Sequence, residues 1–169
     1  MKSTLSYLSL ILALAVTLLA AVVRADGHYK GVATMMKFES SSDVTMNKRA
    51  FRGTWYSGND LKNAACYGRN GLPSYSATIH SMIGAMAMNG FENCYKCMKI
   101  VNNQQKHLSV VVKIVDKCAG CKVNQAIDLT PNAFAKLAPG GDLGIGVLDI
   151  SWKPVRCPNS KLYPSKPKA

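Results

Sequence analysis

Short apolar runs separated by Gly, Asn and Pro dominate the chain after residue 50. The runs are rich in Val, Ile, Leu and Tyr, and runs of this kind between turn-forming residues are typical of β-strands. The pattern therefore predicts strands at residues 53–57, 97–101, 108–115, 126–129 and 145–155.

Two stretches predict short helices. Residues 76–88 are rich in Ala and Met, and at residues 131–137 Thr130 can cap a helix whose first position is Pro131. Residues 50–158 are enough for one domain with a real core but not for two. A compact all-β barrel with one or two small helices fits this pattern better than a sandwich.

The N-terminus carries a targeting signal. Lys2 precedes an apolar run over residues 5–23, and Val23-Arg24-Ala25 offers a small-residue cleavage site. This pattern indicates a secretory signal peptide over residues 1–25 and a secreted protein. A membrane anchor is the alternative, because the run approaches the roughly 20 residues that span a bilayer.

Residues 26–49 show no convincing strand or helix period and end in the dibasic pair Lys48-Arg49. We interpret them as a linker or as a short propeptide that is removed after Arg49. The structured domain then spans residues 50–158, and a basic tail rich in Pro and Lys follows at residues 159–169.

All six cysteines lie within the predicted domain. An even number of cysteines behind a signal peptide favours three disulfides. The spacing of Cys94-x-x-Cys97 and Cys118-x-x-Cys121 also suits a zinc ribbon, but the secretory signal and the two further cysteines favour disulfides and no metal. The six are Cys66, Cys94, Cys97, Cys118, Cys121 and Cys157.

Two carboxylates flank the turn that holds Cys118 and Cys121. Asp116 ends one apolar run and Asp128 lies inside the next. If the two runs are neighbouring strands, both acids reach one cleft, which is an arrangement suited to sugar binding or sugar chemistry. Asp116 has the alternative role of capping the turn.

Six motifs resemble those of the expansin superfamily, and they occur in the same order. The match covers residues 53–157 and is strongest to single-domain loosenin-like and RlpA-like proteins. The resemblance implies a six-stranded double-psi β-barrel with an open polysaccharide groove, stapled by Cys66–Cys94, Cys97–Cys157 and Cys118–Cys121. The motifs are Gly53-Thr54-Trp55-Tyr56, Ala65-Cys66-Tyr67-Gly68-x-Asn70, Asn93-Cys94-Tyr95-Lys96-Cys97, Val115-Asp116-Lys117-Cys118-x-Gly120-Cys121, Ile127-Asp128-Leu129-Thr130 and Ile150-Ser151-Trp152.

By this resemblance, Asp128 occupies the position of the general acid in the related family 45 endoglucanases. Inverting hydrolysis needs a second carboxylate about 6.5–9.5 Å away. The positions after Tyr56 are Ser57 and Gly58, and Asp60 follows on what the sequence indicates is a turn. We therefore predict a protein that is not an enzyme, with Asp128 as a residue that only resembles a general acid.

The remaining groove residues suit a binding protein. Thr54, Tyr56, Asp116 and Asp128 match groove positions of the family, and Trp55 or Trp152 can offer an apolar face to a pyranose ring unless these rings belong to the core. The predicted function is that of a secreted expansin-like protein that binds cell-wall polysaccharide and loosens it without hydrolysis. A barwin-like or protease-inhibitor-like binding protein is the alternative, and a weak endoglucanase is a second one.

The positive net charge of the chain adds acidic polymers to the expected partners. The chain carries a formal net charge of +12, and such a surface attracts acidic polymers, although it can also serve only solubility. We expect a monomeric, extracellular or cell-wall protein that binds cellulose, chitin or an acidic matrix glycan such as pectin. No cofactor is implied, no membrane partner remains after cleavage, and nucleic acid is not expected because no recognition helix accompanies the charge.

Overall fold

A computed structural model describes residues 27–39, 55–57, 64–67 and 80–164. Within these ranges, six strands close into a barrel in the order β1-β7-β4-β6-β5-β8, and β2 and β3 form a separate two-stranded sheet. The strands are β1 (Tyr29–Met35), β2 (Lys37–Glu39), β3 (Trp55–Ser57), β4 (Ile83–Met86), β5 (Cys97–Asn102), β6 (Ser109–Asp116), β7 (Ala126–Leu129) and β8 (Val147–Val155).

The barrel mixes two kinds of strand pairing. β1 runs parallel to β7, and β4 runs parallel to β6, whereas the other four neighbouring pairs are antiparallel. Closure leaves the barrel without a free strand edge. The prediction of an all-β, six-stranded double-psi barrel is confirmed.

Among the described residues, the α-helix α1 (Pro131–Ala135) follows β7, and short 3₁₀ turns lie at Ala65–Tyr67, Pro139–Gly141 and Leu143–Ile145. The helix begins at Pro131 as predicted, but the side chain of Thr130 does not cap it. The Thr130 hydroxyl instead donates a hydrogen bond to the carbonyl of Ser81, which ties the start of α1 to the chain before β4.

The prediction of a helix over residues 76–88 is wrong for Ile83–Met86, which form strand β4. Ala and Met favour helices in isolation, but tertiary packing overrides this preference here. β4 lies between β6 and β7 and is buried on both faces. Gly84 of β4 is tightly packed, because an added Cβ would lie 3.1 Å from the Ile127 side chain.

The prediction that residues 26–49 are a linker or propeptide outside the domain is wrong over Tyr29–Met35, which form barrel strand β1. β1 pairs with both β7 and β8, so the barrel begins well before Ala50. Glycine is unusual inside a strand, so Gly31 weakens the sequence pattern of β1. Its missing Cβ allows the backbone to approach Gln125, because a Cβ would lie 2.2 Å from the Gln125 carbonyl oxygen.

Other predicted boundaries also shift. β3 pairs with β2 and is not a barrel strand. At the other end of the domain, Leu162, Tyr163 and Pro164 pack against the barrel: the Tyr163 hydroxyl donates to the Val111 carbonyl at 3.1 Å, and the Lys113 ammonium donates to the Pro164 carbonyl at 2.5 Å. The predicted tail is therefore part of the domain as far as Pro164. Residues 1–25, Lys48-Arg49 and residues 165–169 lie outside the described residues.

Two separate groups of buried side chains hold the barrel together. The larger one, the interior core, includes Trp152, Ile100, Ile114, Ile127 and Phe134. The smaller one lies outside the barrel against β4 and β6, and we call it the outer cluster. It consists of Met36, Ala64, Ile83, Ala85, Val115 and Cys118.

Three disulfides join the described cysteines, and they are the pairs implied by the resemblance: Cys66–Cys94, Cys97–Cys157 and Cys118–Cys121. A zinc ribbon is therefore wrong, because each thiolate that it requires is bonded to another sulfur. No helix among the described residues is long and apolar enough to cross a membrane.

Candidate functional site

Asp116 and Asp128 lie on the same outer face of the barrel, although their strands are not neighbours. β4 lies between β6 and β7. The register between β4 and β6 shifts between Gly84 and Ala85, which pairs Ala85 with Asp116 on one side, and Ala85 is paired with Asp128 on the other. Two strand spacings of about 4.8 Å separate the Cα atoms by about 10 Å. The two acids therefore share one face, with a small alanine side chain between them.

The same line of register continues across the barrel. Asp128 is paired with Thr34 on β1, and Thr34 is paired with Val147 on β8. Residues directly opposite on paired strands lie on the same face of a sheet. One line of side chains thus crosses five strands. We call it the central row, and it consists of Asp116, Ala85, Asp128, Thr34 and Val147.

Asp128 is held below the surface of the central row. Its residue is 1% exposed, and its carboxylate accepts a hydrogen bond from the Thr34 hydroxyl. A buried carboxylate requires such partners, because an uncompensated charge away from water is costly. In this conformation Asp128 organises the row from beneath, while half-buried Thr34 and exposed Val147 form its accessible part.

The Cys118–Cys121 disulfide lies beside Asp128. Both sulfurs are within 4.8 Å of a carboxylate oxygen of Asp128. Two thiolates and a carboxylate at this separation would suit a metal ion, but as a disulfide the two sulfurs offer no thiolate ligand. The disulfide therefore acts here as an apolar wall that helps to keep water from the carboxyl group.

Asp116 caps the turn that follows its strand, as the alternative interpretation of the sequence anticipated. Its Oδ1 accepts hydrogen bonds from the backbone N–H of Lys117 at 2.8 Å and from that of Ala65 at 2.7 Å. The second bond fastens the 3₁₀ turn Ala65–Tyr67 over the outer cluster. Half-buried Asp116 is thus both a member of the central row and an anchor for the segment above it.

The suggestion that Trp152 offers a face to a sugar ring is wrong. Trp152 is 1% exposed and belongs to the interior core. Its ring stacks on that of Tyr29, with the two centroids 5.8 Å apart. Alternation along β8 turns it inward, because Ile150 and Leu148 on the same side of the strand are also buried.

The other predicted groove residues lie at the edge of what the structure describes. Trp55 and Tyr56 lie on β3, where Tyr56 is paired with Phe38 of β2. Thr54 and Asp60 lie outside the described residues. Roles for Thr54, Trp55 and Tyr56 in binding stay predictions.

An exposed aromatic residue that the sequence analysis did not single out lies near one end of the central row. Phe91 is 62% exposed, and the ammonium of Lys117 lies 5.3 Å from the centroid of its ring. A cation at this distance is attracted to the face of an aromatic ring. Because Lys117 directly follows Asp116, the pair adjoins the end of the row that Asp116 forms.

The loop that carries Phe91 is held in place. The Glu92 carboxylate accepts hydrogen bonds from the backbone N–H groups of Asn89 and Gly90, at 3.1 and 2.9 Å. Hydrogen bonds from the backbone N–H groups of Glu92 itself, Gly90 and Asn89, with a smaller contribution from the charge of Lys117, lower the pKa of Glu92. Phe91 is therefore an exposed ring on a rigid support, and the only sequence signal for it was an aromatic residue in a loop that ends at Cys94.

Tyr67 and Tyr95 brace the same region. Their rings meet edge to face with centroids 5.0 Å apart, and the Tyr95 hydroxyl donates to the carbonyl of Cys66. Burial raises the pKa of Tyr95, so its phenol stays protonated and remains a donor at neutral pH. Together with the Cys66–Cys94 disulfide, these contacts fasten the Phe91 loop to the segment above the outer cluster.

Comparison with known proteins supports the assignment of the barrel. The model of the Barwin family matches residues 74–157, a segment that holds five of the six barrel strands. Among curated proteins, none matches the sequence at a significant level. The family match is not to an enzyme.

Several solved structures are similar to this chain. A point mutant of the expansin from Clavibacter michiganensis in complex with cellohexaose has a TM-score of 0.48 and 22% identity, over 79% of this chain and 52% of that one. The present chain thus spans about half the length of that expansin. A papain inhibitor from Streptomyces has a TM-score of 0.45 and 24% identity, over 76% of this chain and 94% of that one.

Cerato-platanin 3 from M. perniciosa gives a further match, with a TM-score of 0.45 and 18% identity, over 76% of this chain and 94% of that one. The family model, in contrast, matches the strands that carry Asp116 and Asp128. The Barwin match over residues 74–157 and the closed six-stranded barrel make this chain similar to the expansin-like double-psi β-barrel proteins.

Proposed function

We propose that the protein is secreted and binds cell-wall polysaccharide along the central row, loosening contacts between chains without cleaving them. The observation that carries the proposal is the row itself. It crosses five strands of one barrel face, presents the hydroxyl of Thr34 and the apolar side chain of Val147, and adjoins exposed Phe91 near its Asp116 end. Ala85 and Asp128 are buried below this face, so a linear polymer lying along it would contact Thr34, Val147 and half-buried Asp116.

The chemistry of the row supports binding and not hydrolysis. Inverting hydrolysis needs one carboxylic acid at the glycosidic oxygen and one carboxylate that activates water. Asp128 is buried under the row, and Asp116 uses Oδ1 to accept two backbone N–H groups. Within the described part of the chain, the row offers no other carboxylate.

Each contact surface has a defined role in this proposal. Thr34 and Asp116 supply hydrogen-bonding groups to sugar hydroxyls, and Asp128 fixes the orientation of the Thr34 hydroxyl from below. Phe91 supplies an apolar face for a pyranose ring. We add Thr54, Trp55 and Tyr56 to the proposed binding residues on the strength of the family resemblance alone.

The disulfides support an extracellular location. All six cysteines are paired, a state that persists in oxidising compartments. Together with the signal-peptide pattern of residues 1–25, this favours a secreted protein. We propose that it acts in the wall as a monomer and needs no cofactor. The proposed ligands are cellulose, chitin or an acidic matrix glycan.

The test is to incubate the secreted protein with amorphous cellulose, chitin and pectin, and to measure bound protein and released reducing ends in the same tubes. We expect binding to at least one polymer without release. Release that is lost in Asp128→Asn would instead identify a weak endoglucanase. Absence of binding together with inhibition of a papain-like protease would identify an inhibitor.

A variant of Phe91 tests the position of the binding surface. Phe91→Ala should weaken polymer binding about tenfold, because burying a Phe side chain contributes about 1.5–3 kcal/mol. Leu162→Ala is the matched control, since Leu162 is also exposed but lies in the C-terminal segment outside the row. Equal losses in the two variants, measured by depletion isotherms, would contradict the proposed surface.

A further inference from the structure

The barrel carries a concentrated group of cations on the neighbouring strands β5 and β8. β5 and β8 are neighbours in the barrel order, opposite to β7 and β4. Four exposed basic residues lie on or just beyond the adjoining ends of these two strands. We call them the basic patch: Lys96, Lys99, Lys153 and Arg156.

The register brings these charges together. Lys99 is paired directly with Lys153, and Cys97 is paired with Val155, so Lys96 and Arg156 follow one residue beyond the last pair. With about 3.3 Å per residue and about 4.8 Å between strands, the patch is about 10 Å long and two strands wide. The Cys97–Cys157 disulfide holds the two strand ends together.

The positive charges of the patch have no acidic side chain among the neighbouring residues of β5 and β8. Like charges directly opposite each other on neighbouring strands destabilise a sheet. Residues 96–102 and 151–157 contain no Asp or Glu, and the residue paired with Lys99 on β6 is Val111. Asp149 lies four residues from Lys153 on β8 and accepts a hydrogen bond from Asn103 at 2.9 Å. The fold thus holds a repulsive pair that an external anion would stabilise.

The shape and chemistry of the patch favour an anionic polymer. None of the large apolar side chains that are exposed on the described surface lies in residues 96–99 or 153–156, whereas attachment to a membrane surface gains from apolar side chains that insert into it. The patch also has no aromatic side chain on which a nucleic acid base could stack. A carboxylated sugar polymer needs only cations placed in a row.

We propose that the basic patch is a second binding site, separate from the central row, for an acidic polysaccharide of the polyuronate class. Ammonium and guanidinium groups of the patch pair with successive uronate carboxylates along the strand direction. β5 carries no residue of the central row, and on β8 Lys153 lies six residues, about 20 Å, from Val147 of the row. The two sites are therefore separate surfaces, and one molecule can contact two polymer chains at once.

The test compares two double variants that remove the same charge. Lys99→Gln/Lys153→Gln removes the central pair of the patch, and Lys136→Gln/Lys161→Gln removes two exposed lysines elsewhere. Binding to polygalacturonate is measured between about 20 and 300 mM salt, because screening weakens contacts between exposed charges. We expect the patch variant to lose at least about tenfold in affinity at low salt, the control less than about twofold, and the salt dependence to become shallower only in the patch variant.

Three outcomes would overturn the proposal. They are absence of wild-type binding at low salt, equal losses in the two variants, and tighter wild-type binding to phosphatidylserine vesicles or to single-stranded DNA than to polygalacturonate. Cellulose binding, measured in parallel, should be unchanged in the patch variant, so that failure of this site is distinguished from failure of the central row. The melting temperature of the free patch variant at low salt should equal or exceed that of the wild type, because the repulsion is removed.

Discussion

At the scale of single residues, the contact between Thr34 and Asp128 joins positions 94 residues apart in the chain. Thr34 lies on β1, in a segment whose sequence shows little periodicity, whereas Asp128 lies on the short apolar strand β7. The hydroxyl offers a donor to a carboxylate that has almost no contact with water. The contact therefore explains how an acid can occupy the centre of the row.

Thr34→Val should destabilise the protein. The substitution keeps the branched shape but removes the donor, and loss of a hydrogen bond to a buried carboxylate costs about 1–3 kcal/mol. Thr34→Ser keeps the hydroxyl and should lose less. Urea denaturation measures both variants. Equal stability of Thr34→Val and the wild type would show that the hydrogen bond is not required.

Glu92 predicts a dependence of stability on pH. Because backbone hydrogen bonds lower its pKa in the folded protein, its stabilising contribution is present above the pKa of the unfolded chain and is lost as the pH falls through the folded value. The difference in melting temperature between the wild type and Glu92→Gln should therefore be largest near neutral pH and should shrink below about pH 4.5. A difference that stays constant from pH 7 to pH 3 would contradict this account.

At the scale of the elements, the barrel depends on close backbone contact between β1 and the start of β7. Val32 donates its N–H to the Gln125 carbonyl at 3.0 Å, and Gly31 lies against the same carbonyl. β1 also pairs along six positions with β8. Loss of β1 would expose the edges of two strands, so a chain that began at Ala50 would lack an essential part of the barrel.

Gly31→Ala should disrupt this contact. Its Cβ would lie 2.2 Å from a backbone oxygen that cannot move without distorting β7, and overpacking of this kind costs about 1–3 kcal/mol or more. Gly120→Ala is the matched control, because its Cβ would meet no atom within 4 Å. Both variants are compared by urea denaturation, and equal midpoints would mean that β1 does not pack as described.

At the scale of the whole molecule, the three disulfides differ in the length of chain they constrain. Cys97–Cys157 spans 60 residues, Cys66–Cys94 spans 28 and Cys118–Cys121 spans only 3. In the chain-entropy model, a disulfide stabilises by restricting the unfolded chain, and the effect grows with the loop. The longest of these loops includes strands β5, β6, β7 and β8.

Removing the long-range disulfide should therefore cost more than removing the short one. Cys97→Ala/Cys157→Ala should lose about 4 kcal/mol, and Cys118→Ala/Cys121→Ala about 2 kcal/mol. Thermal or urea unfolding under non-reducing conditions measures the difference. The reverse order would indicate that the short disulfide acts mainly through its packing beside Asp128 and the outer cluster.

Much of the fold followed from local signals in the sequence. The apolar runs of β5, β6, β7 and β8 are bounded by turn residues, and Pro131 marks the start of α1, so these elements were predicted from nearby residues alone. β1 and β4 were missed because their character depends on what surrounds them. β4 has the composition of a helix and becomes a strand only between β6 and β7, and β1 is stabilised by pairing on both sides.

Some features of the candidate site also followed from local sequence signals, and others did not. Asp116 and Asp128 were recognised from their spacing around a cysteine turn, and the turn-capping role of Asp116 is local and could be anticipated. The burial of Trp152 and the exposure of Phe91 could not be anticipated from the sequence. Each depends on whether residues distant in the chain cover the side chain.

The sequence by itself determined the residue types, the even set of cysteines, the positive charge and most of the strands, because these depend on composition and on periods of a few residues. Tertiary structure decided which side chains meet. Barrel closure placed β4 between the two acids and β1 beside Asp128, and the pairing of β5 with β8 set Lys99 opposite Lys153. Contacts between positions far apart in the chain arise only when strands close into a barrel, and no local pattern encodes them.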